Sequence, residues 1–191
     1  MKLIITRHGE TVDNVNRVIQ GQKPGKLSDE GKKQAKKLGQ RLKNEKIDFV
    51  YSSDLKRAID TSKKIIKHHP QLKLILDKRI RERSFGELEG KKIPENWSWE
   101  TMPTYIETNE SICKRVKSFI DEINKKHSDK TVVVVCHGGT KKAFLTVLNN
   151  VPCERMNKSF KHQKNTAVSI FEIEKNAKPK MITSNCTKHL E

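Results

Sequence analysis

The stretch TVVVVCHGG, residues 131–139, constrains the fold more than any other part of the 191-residue sequence. Its first six residues form a continuous run without polar alternation, which is typical of a parallel strand buried on both faces. Four apolar residues then recur at helical spacing, namely Ala143, Phe144, Val147 and Leu148. A central strand that leads into a helix through His-Gly-Gly is therefore expected.

Apolar runs elsewhere predict further strands, and amphipathic runs between them predict helices. The expected strands cover residues 2–6, 48–51, 73–76, 166–173 and 180–183, and the expected helices cover 28–44, 54–69 and a segment that begins near Thr108. Strands that alternate with helices imply right-handed crossovers. The predicted fold class is α/β, a mostly parallel central sheet with helices on both faces.

Polar clusters follow three of the predicted strands. RHG (7–9) follows the first strand, SS (52–53) the second, with Arg57 just inside the next helix, and HGG (137–139) the central one. The pair ER (82–83) lies in the loop after a further strand end. Because ligands of such sheets bind beyond the carboxyl ends of the strands, we expect these distant residues at one edge.

The formal charge is +17, from 40 Lys and Arg against 23 Asp and Glu. Such a charge favours anionic partners, and nucleic acid is the obvious one. The lysines are spread over nearly every predicted helix, however, without a basic block or a nucleic-acid-binding motif. We expect a small anionic substrate instead, and keep a basic nucleic-acid-binding protein on this fold as a remote alternative.

Length and residue usage predict one domain over residues 1–191. No apolar run reaches the ~18 residues of a membrane span, and the first apolar run is too short for a signal peptide. The four cysteines are scattered without metal-ligand spacing. We expect reduced thiols, a cytoplasmic location, no membrane partner, and a monomer or homodimer.

The residue types in the strand-end clusters suit a phosphate monoester. Each residue alone has a structural explanation, but two histidines and two arginines at one edge form a strong site for a dianion. The guanidinium fork fits phosphoryl oxygens better than an ammonium does, and a neutral imidazole is a competent nucleophile at phosphorus. A carboxylic acid whose pKa is raised by burial can protonate the departing alkoxide. The sequence contains no metal-site motif and no Walker loop.

Five motifs, in order, resemble those of the histidine phosphatase superfamily (the phosphoglycerate mutase-like family), and the resemblance covers nearly the whole chain. RHGET (7–11) with Asn14 is similar to the family signature. The others are QG (20–21) with LSDEGKKQA (27–35) for the loop and first helix, SSDLKRA (52–58) for the second arginine, ERSFGELEG (82–90) for the acid, and CHGGT (136–140) for the second histidine.

The resemblance implies a three-layer α/β/α sandwich, no metal and no cofactor. It implies that His8 is the nucleophile, that Glu82 is the general acid and then the base, and that the phosphoryl oxygens are bound by Arg7, Arg57 and His137. The residues expected to contact substrate are Asn14, Gln20, Gly21, Arg83 and Gly138. Because one ring nitrogen of His8 must be unprotonated, the other should donate to a nearby backbone carbonyl.

The resemblance leaves open whether water or a second substrate hydroxyl accepts the phosphoryl group. The family's mutases carry a long insertion with paired arginines after the acid motif, whereas residues 91–108 here contain no Arg. Arg83 is the one mutase-like feature. We expect a metal-independent phosphomonoester phosphatase, with a cofactor-dependent phosphoglycerate mutase as the alternative. A binding-only module is disfavoured because every named catalytic residue is present.

Residues 86–108 are expected to form a short lid-like insertion. Trp97, Trp99, Met102 and Tyr105 could cover the leaving group, or they could anchor an irregular loop, and the sequence favours neither. The substrate also stays open among sugar phosphates, phosphoglycerate, phosphoamino acids and nucleotides.

Overall fold

The computed structural model describes residues 1–95, 97–98, 103–160 and 162–191. Within these residues six strands form one sheet in the order β3-β2-β4-β1-β5-β6. Their bounds are β1 Lys2–Arg7, β2 Phe49–Ser52, β3 Leu74–Leu76, β4 Thr131–Cys136, β5 Val168–Glu172 and β6 Lys180–Cys186. The predicted central strand β4 is thus third in the sheet, between β2 and β1.

The first four strands of the chain run parallel, which confirms the predicted α/β class. Strand β5 pairs antiparallel with β1, and β6 pairs antiparallel with β5. The crossover rule therefore does not extend to the last two strands. The connection between them is short and carries no helix, and a short connection can join only antiparallel neighbours.

Six α-helices are present in the described residues. They are α1 Val12–Val15, α2 Asp29–Leu42, α3 Lys56–Ile66, α4 Asn109–Lys126, α5 Gly138–Leu148 and α6 Met156–Ser159. One face of the sheet packs against α2 and α3, and the other packs against α4 and α5, so the predicted three layers are observed. None of the described helices combines the length and the apolar character that crossing a bilayer requires.

Helix starts follow the local capping residues. The Ser28 hydroxyl accepts a hydrogen bond from the Gly31 amide at 2.9 Å and caps α2, as predicted. Helix α3 begins at Lys56, close to the expected start near Asp54. Its N-cap residue is Leu55, which makes no side-chain cap, and the Asp54 carboxylate accepts from the Arg81 guanidinium at 2.7 and 2.5 Å.

The segment after Gly90 is held against the loop that follows α1. The Gly90 amide donates to Ile19 O at 2.7 Å, the Ile19 amide to Lys91 O at 2.9 Å, and the Ile93 amide to Arg17 O at 2.8 Å. Further along, the Trp97 ring lies 6.1 Å from the Phe85 ring. Trp99 and Met102 lie outside the described residues, so the choice between a lid and an anchoring cluster stays a prediction.

Candidate active site

The carboxyl ends of β1, β2 and β4 bring the predicted clusters together. Arg7 is the register partner of Cys136, so the residues that follow them, His8 and His137, emerge side by side. The two imidazole rings have centroids 5.1 Å apart. Ser52 pairs with the residue before Cys136, which places the start of α3 beside both histidines. The predicted convergence at one sheet edge is thus present.

The ring of His8 is buried, and both of its nitrogens have defined neighbours. Nδ1 lies 2.7 Å from the carbonyl oxygen of Gly9. A carbonyl only accepts, so this contact requires the proton on Nδ1 and leaves a lone pair on Nε2. Burial and the charges of Arg57 and Arg7 lower the pKa of His8 well below its usual value. The ring is therefore neutral at physiological pH, with the tautomer that the sequence predicted.

Arg57 connects the two histidines. Its Nε lies 3.2 Å from Nε2 of His8 and 3.1 Å from Nδ1 of His137, and donates towards both. Its terminal nitrogens donate to Gly21 O at 2.7 Å and to Lys23 O at 2.5 Å. Burial lowers the pKa of Arg57 to about 10, so the side chain stays charged at neutral pH. Backbone carbonyls thus fix one cation at the nucleophile.

Arg7 supplies a second buried cation. Its Nη1 donates to Gln163 O at 2.7 Å and lies 3.3 Å from Nε2 of His162. Its Nε has no hydrogen-bond partner among the described residues, and neither has Nε2 of His137. Because Nδ1 of His137 accepts from Arg57, its Nε2 must carry the proton. Two buried donors at one site are therefore unsatisfied, an arrangement that suits an anion.

The Glu82 carboxylate lies at the amino end of α5. It accepts from the amides of Gly139 and Thr140, each at 3.2 Å, and from the Arg83 amide at 2.9 Å. His137 precedes the helix without a side-chain cap, so Glu82 satisfies amides that would otherwise lack partners. A Cβ at Gly139 would come within 2.6 Å of Glu82 Oε1, which explains the glycine.

Asn165 and Thr166, which the sequence did not single out, bind the backbone of the proposed nucleophile and of its neighbour Arg7. The Asn165 side chain donates to His8 O at 3.0 Å, and the Thr166 amide donates to Arg7 O at 3.1 Å. From α3, the Thr61 hydroxyl accepts from the Gly9 amide at 3.0 Å. All three contacts are made to backbone groups of residues 7–9. They could not be predicted from the residue types in 162–166.

Four of the predicted catalytic residues, Arg7, His8, Arg57 and Glu82, border a cavity of about 280 Å³. All five residues predicted to contact substrate line it, namely Asn14, Gln20, Gly21, Arg83 and Gly138. Phe85 and Gly139 from the motifs and Trp97 from the expected lid also line it. The lining residues that the sequence did not single out are Val18, Ile19, Ile93, Lys142, Asn157, His162 and Gln163. The predicted residues thus line one cavity. A further part of its wall comes from α5, α6 and residues 162–163.

Some predicted contact residues also have structural partners. Arg83 donates through Nη1 to Glu107 O and through Nη2 to Asn109 Oδ1, the latter at 2.6 Å. The Asn14 side chain accepts from the Thr11 amide at 3.2 Å and closes the capping box of α1. The role of both in substrate binding stays a prediction, since these contacts show only how each side chain is held.

Nothing in the described part of the chain groups three or more His, Cys, Asp or Glu side chains as a metal ion would require. The donor set at the sheet edge is cationic, with two arginines beside two imidazoles. Such a set favours anions and not divalent cations.

Comparisons with known proteins agree with this geometry. The family profile described as "Histidine phosphatase superfamily (branch 1)" matches residues 3–187. A metal-independent phosphoserine phosphatase of Arabidopsis thaliana is 36% identical over 158 residues, which are 75% of this chain and 66% of that protein. A probable phosphoglycerate mutase GpmB of Yersinia enterocolitica is 32% identical over 165 residues, 80% of this chain and 76% of that protein.

The fold is also similar to solved structures. One is a mutant phosphoserine phosphatase from Entamoeba histolytica in complex with phosphoserine, with a TM-score of 0.85 and 28% sequence identity. The match covers 100% of this chain and 99% of that chain. The similarity of fold therefore extends over nearly the whole length of both chains.

Proposed function

Since this chain belongs to the histidine phosphatase superfamily, we propose that it hydrolyses small phosphomonoesters without a metal ion, through a phosphohistidine on His8. The observation that carries the proposal is the 2.7 Å contact between Nδ1 of His8 and Gly9 O. It leaves Nε2 unprotonated beside the cavity, as a nucleophile must be.

The surrounding charges suit the phosphoryl group that His8 would attack. A phosphate monoester carries nearly two negative charges, and Arg7 and Arg57 are two buried cations whose charges both act on His8. Nε of Arg7 and the protonated Nε2 of His137, which have no partner among the described residues, would donate to the equatorial oxygens beside the charge of Arg57. Because both arginines are held by backbone carbonyls, they need little rearrangement as charge develops, which is how fixed donors accelerate phosphoryl transfer.

Glu82 is proposed as the proton donor and acceptor. In the first step, Nε2 of His8 bonds to phosphorus, the bond from phosphorus to the leaving oxygen breaks, and the acid form of Glu82 protonates that oxygen. In the second step, water attacks phosphorus, gives its proton to Glu82 and releases His8. The three backbone amides around the carboxylate hold it in one position for both steps.

Water is proposed as the final acceptor, because a mutase must hold a second substrate hydroxyl in line. Residues 91–108 contain no Arg to bind a substrate for that purpose. Arg83, the one mutase-like residue, uses both terminal nitrogens to bind Glu107 O and Asn109. The phosphoglycerate mutase alternative therefore has less support, although one relative carries that name. The relatives' names suggest phosphoserine as the first substrate to test.

For domain organisation, location and partners, our proposal is the same as the expectation from the sequence. Residues 1–191 would act as one domain with 86–108 as a lid-like insertion, in a cytoplasmic monomer or homodimer, and nucleic acid would not be its partner.

The experiment is to measure phosphate release and 3- to 2-phosphoglycerate interconversion on one preparation, with 2,3-bisphosphoglycerate supplied to prime His8. We expect steady phosphate release from small phosphomonoesters and little interconversion. Interconversion faster than phosphate release by about tenfold, equivalent to about 1.4 kcal/mol in barrier height, would replace the phosphatase by the mutase.

A further inference from the structure

The loop that carries Glu82, the proposed general acid, needs support from other parts of the chain. Residues 81–85 lie between β3 and α4 and belong to neither a helix nor a strand. The carbonyl groups of such a loop are not fixed by the hydrogen bonds of a regular element, so they must find other partners. The position of Glu82 therefore depends on side chains that bind this loop.

Arg115 of α4 is the main such side chain. Its Nη1 donates to Arg79 O and to Arg81 O, the latter at 2.8 Å, and its Nη2 donates to Glu82 O at 3.2 Å. One guanidinium thus binds three carbonyl groups within four residues of the chain. The planar group of an arginine offers five N–H donors in a fixed arrangement, which a lysine ammonium does not.

The guanidinium of Arg115 is itself fixed by Glu107. Its Nε and Nη2 donate to the two carboxylate oxygens of Glu107 at 2.7 and 2.9 Å, which is a bidentate pair. The same carboxylate accepts from the Ser84 amide at 3.1 Å. Only 19% of the Arg115 side chain and 12% of the Glu107 side chain are exposed. The pair is therefore more narrowly defined in geometry than an ion pair between exposed side chains.

The acid is held from α5 as well. The Thr140 hydroxyl donates to Arg81 O at 2.6 Å, and the Thr140 amide donates to the Glu82 carboxylate at 3.2 Å. Arg115 on α4 thus binds the backbone of the acid, while the amino end of α5 binds its carboxylate. Without Arg115 the carboxylate would keep its amide partners, but the backbone that carries it would be free to shift.

From these contacts we infer that Arg115 is a positioning residue for Glu82, which fixes the backbone of the acid so that its carboxylate meets the leaving oxygen of a substrate bound at His8. The inference rests on the proposed hydrolysis with Glu82 as the acid, and it adds a residue that does not line the cavity. Proton transfer requires a separation of about 3 Å, and a displacement of about 1 Å can lower a rate by about 100-fold.

The test compares two substrates that differ in their need for an acid. The alkoxide of phosphoserine must be protonated as it leaves, whereas p-nitrophenolate leaves without a proton. The readout is the ratio of kcat/KM for phosphoserine to kcat/KM for p-nitrophenyl phosphate on one preparation. A loss of folded protein cancels from this ratio, so a residue that only stabilises the fold would not change it.

Arg115→Met removes the guanidinium and keeps an unbranched side chain. Lys114→Met is the matched control, since Lys114 is the preceding residue of α4 and is exposed. Arg115→Lys keeps the positive charge beside Glu107 but cannot bind three carbonyl groups, so it provides the same test if Arg115→Met does not fold. Each substitution at Arg115 is made in wild type and in a Glu82→Gln background.

We expect Arg115→Met to lower the ratio by at least about tenfold, because a displaced acid no longer reaches the leaving oxygen. Arg115→Lys should lower the ratio in the same direction, and Lys114→Met should keep the wild-type value. In the Glu82→Gln background neither substitution at Arg115 should change the ratio further, since a residue that acts through Glu82 then has no acid to position.

A wild-type ratio in the variants of Arg115, or an equal fall with and without the Glu82 carboxylate, would overturn the inference. A wild-type ratio in Glu82→Gln alone would instead overturn the proposed role of Glu82. Failure of the wild-type protein to hydrolyse p-nitrophenyl phosphate would overturn the proposed function itself.

Discussion

The Nε–H of Arg57 donates to Nε2 of His8 at 3.2 Å, so a buried cation directly contacts the proposed nucleophilic nitrogen. The same nitrogen of Arg57 also lies 3.1 Å from His137. The hydrogen bond from Arg57 therefore holds the His8 ring in place. This hydrogen bond would break when a phosphoryl group binds between Arg57 and His8. This relationship makes the site sensitive to the shape of the guanidinium as well as to its charge.

Replacement of Arg57 or Arg7 by lysine should therefore not be conservative. Each variant keeps the charge but loses the planar fork, so kcat should fall by at least about 100-fold, as expected when donors to developing charge are removed. Steady-state kinetics with p-nitrophenyl phosphate measure the effect. Lys164→Arg is a control that changes the same residue types at an exposed position. Rates close to wild type in both lysine variants would place the phosphoryl site elsewhere.

The Glu82→Gln variant should separate substrates by their leaving groups. An alkyl leaving oxygen needs a proton, so kcat/KM for phosphoserine should fall by about 10²–10⁴-fold, the usual contribution of a general acid. p-Nitrophenolate leaves without protonation, so kcat/KM for its ester should fall far less. Equal losses on both substrates would mean that Glu82 only holds the amino end of α5.

Stability should depend on the buried imidazole of His8. The pKa of His8 is held below its ordinary value of about 6.5. In acid the unfolded histidine takes up a proton that the folded one does not, so stability present above pH 6.5 is lost as the pH falls. His8→Asn keeps an N–H donor for Gly9 but cannot titrate. Between pH 6.5 and 5, the free energy of unfolding of His8→Asn should therefore fall less steeply than that of wild type. The two slopes should differ by up to about 1.4 kcal/mol per pH unit.

Urea unfolding at a series of pH values measures this difference. Equal slopes for wild type and His8→Asn would contradict a depressed pKa. A Lys164→Asn variant, which changes an exposed residue, should keep the wild-type slope.

Activity should also be independent of metal ions. The described residues contain no cluster of metal ligands, and the proposed mechanism assigns charge stabilisation to Arg7 and Arg57. Exhaustive EDTA treatment should leave phosphate release unchanged, and added Mg²⁺ should not increase it. Activity that is lost to the chelator and restored by one divalent ion would indicate metal-assisted hydrolysis.

The arrangement of His8, Arg57 and His137 could be predicted from the sequence because parallel strands align their carboxyl ends. Once residues 2–6, 48–51 and 131–136 are recognised as strands, sheet topology brings the following residues to one edge. The contact of one His8 ring nitrogen with a backbone carbonyl was expected on a different ground, namely the nucleophile role that the family resemblance implies. The α2 cap at Ser28 was equally local and was predicted correctly.

The wall that contains Lys142, Asn157 and His162 could not be predicted in this way. Asn157 and His162 lie outside the strand-end clusters, and their place at the cavity depends on how the chain returns to β5. The sequence analysis also did not predict that β5 and β6 are antiparallel, because the hydrophobic periodicity of a strand does not reveal its direction. Arg83 was predicted from its neighbour Glu82, and only tertiary structure reveals its contacts with Glu107 O and Asn109.

The most direct test of the central claim is to trap the phosphoenzyme. Wild type and Glu82→Gln are mixed with labelled phosphoserine or p-nitrophenyl phosphate and quenched in alkali, and the labelled peptide is identified by mass spectrometry. The account predicts an acid-labile, base-stable phosphate on His8, with no label in His8→Asn and turnover in that variant at least about 10⁴-fold lower. Label on a serine, an aspartate or Cys136, or substantial turnover by His8→Asn, would contradict it.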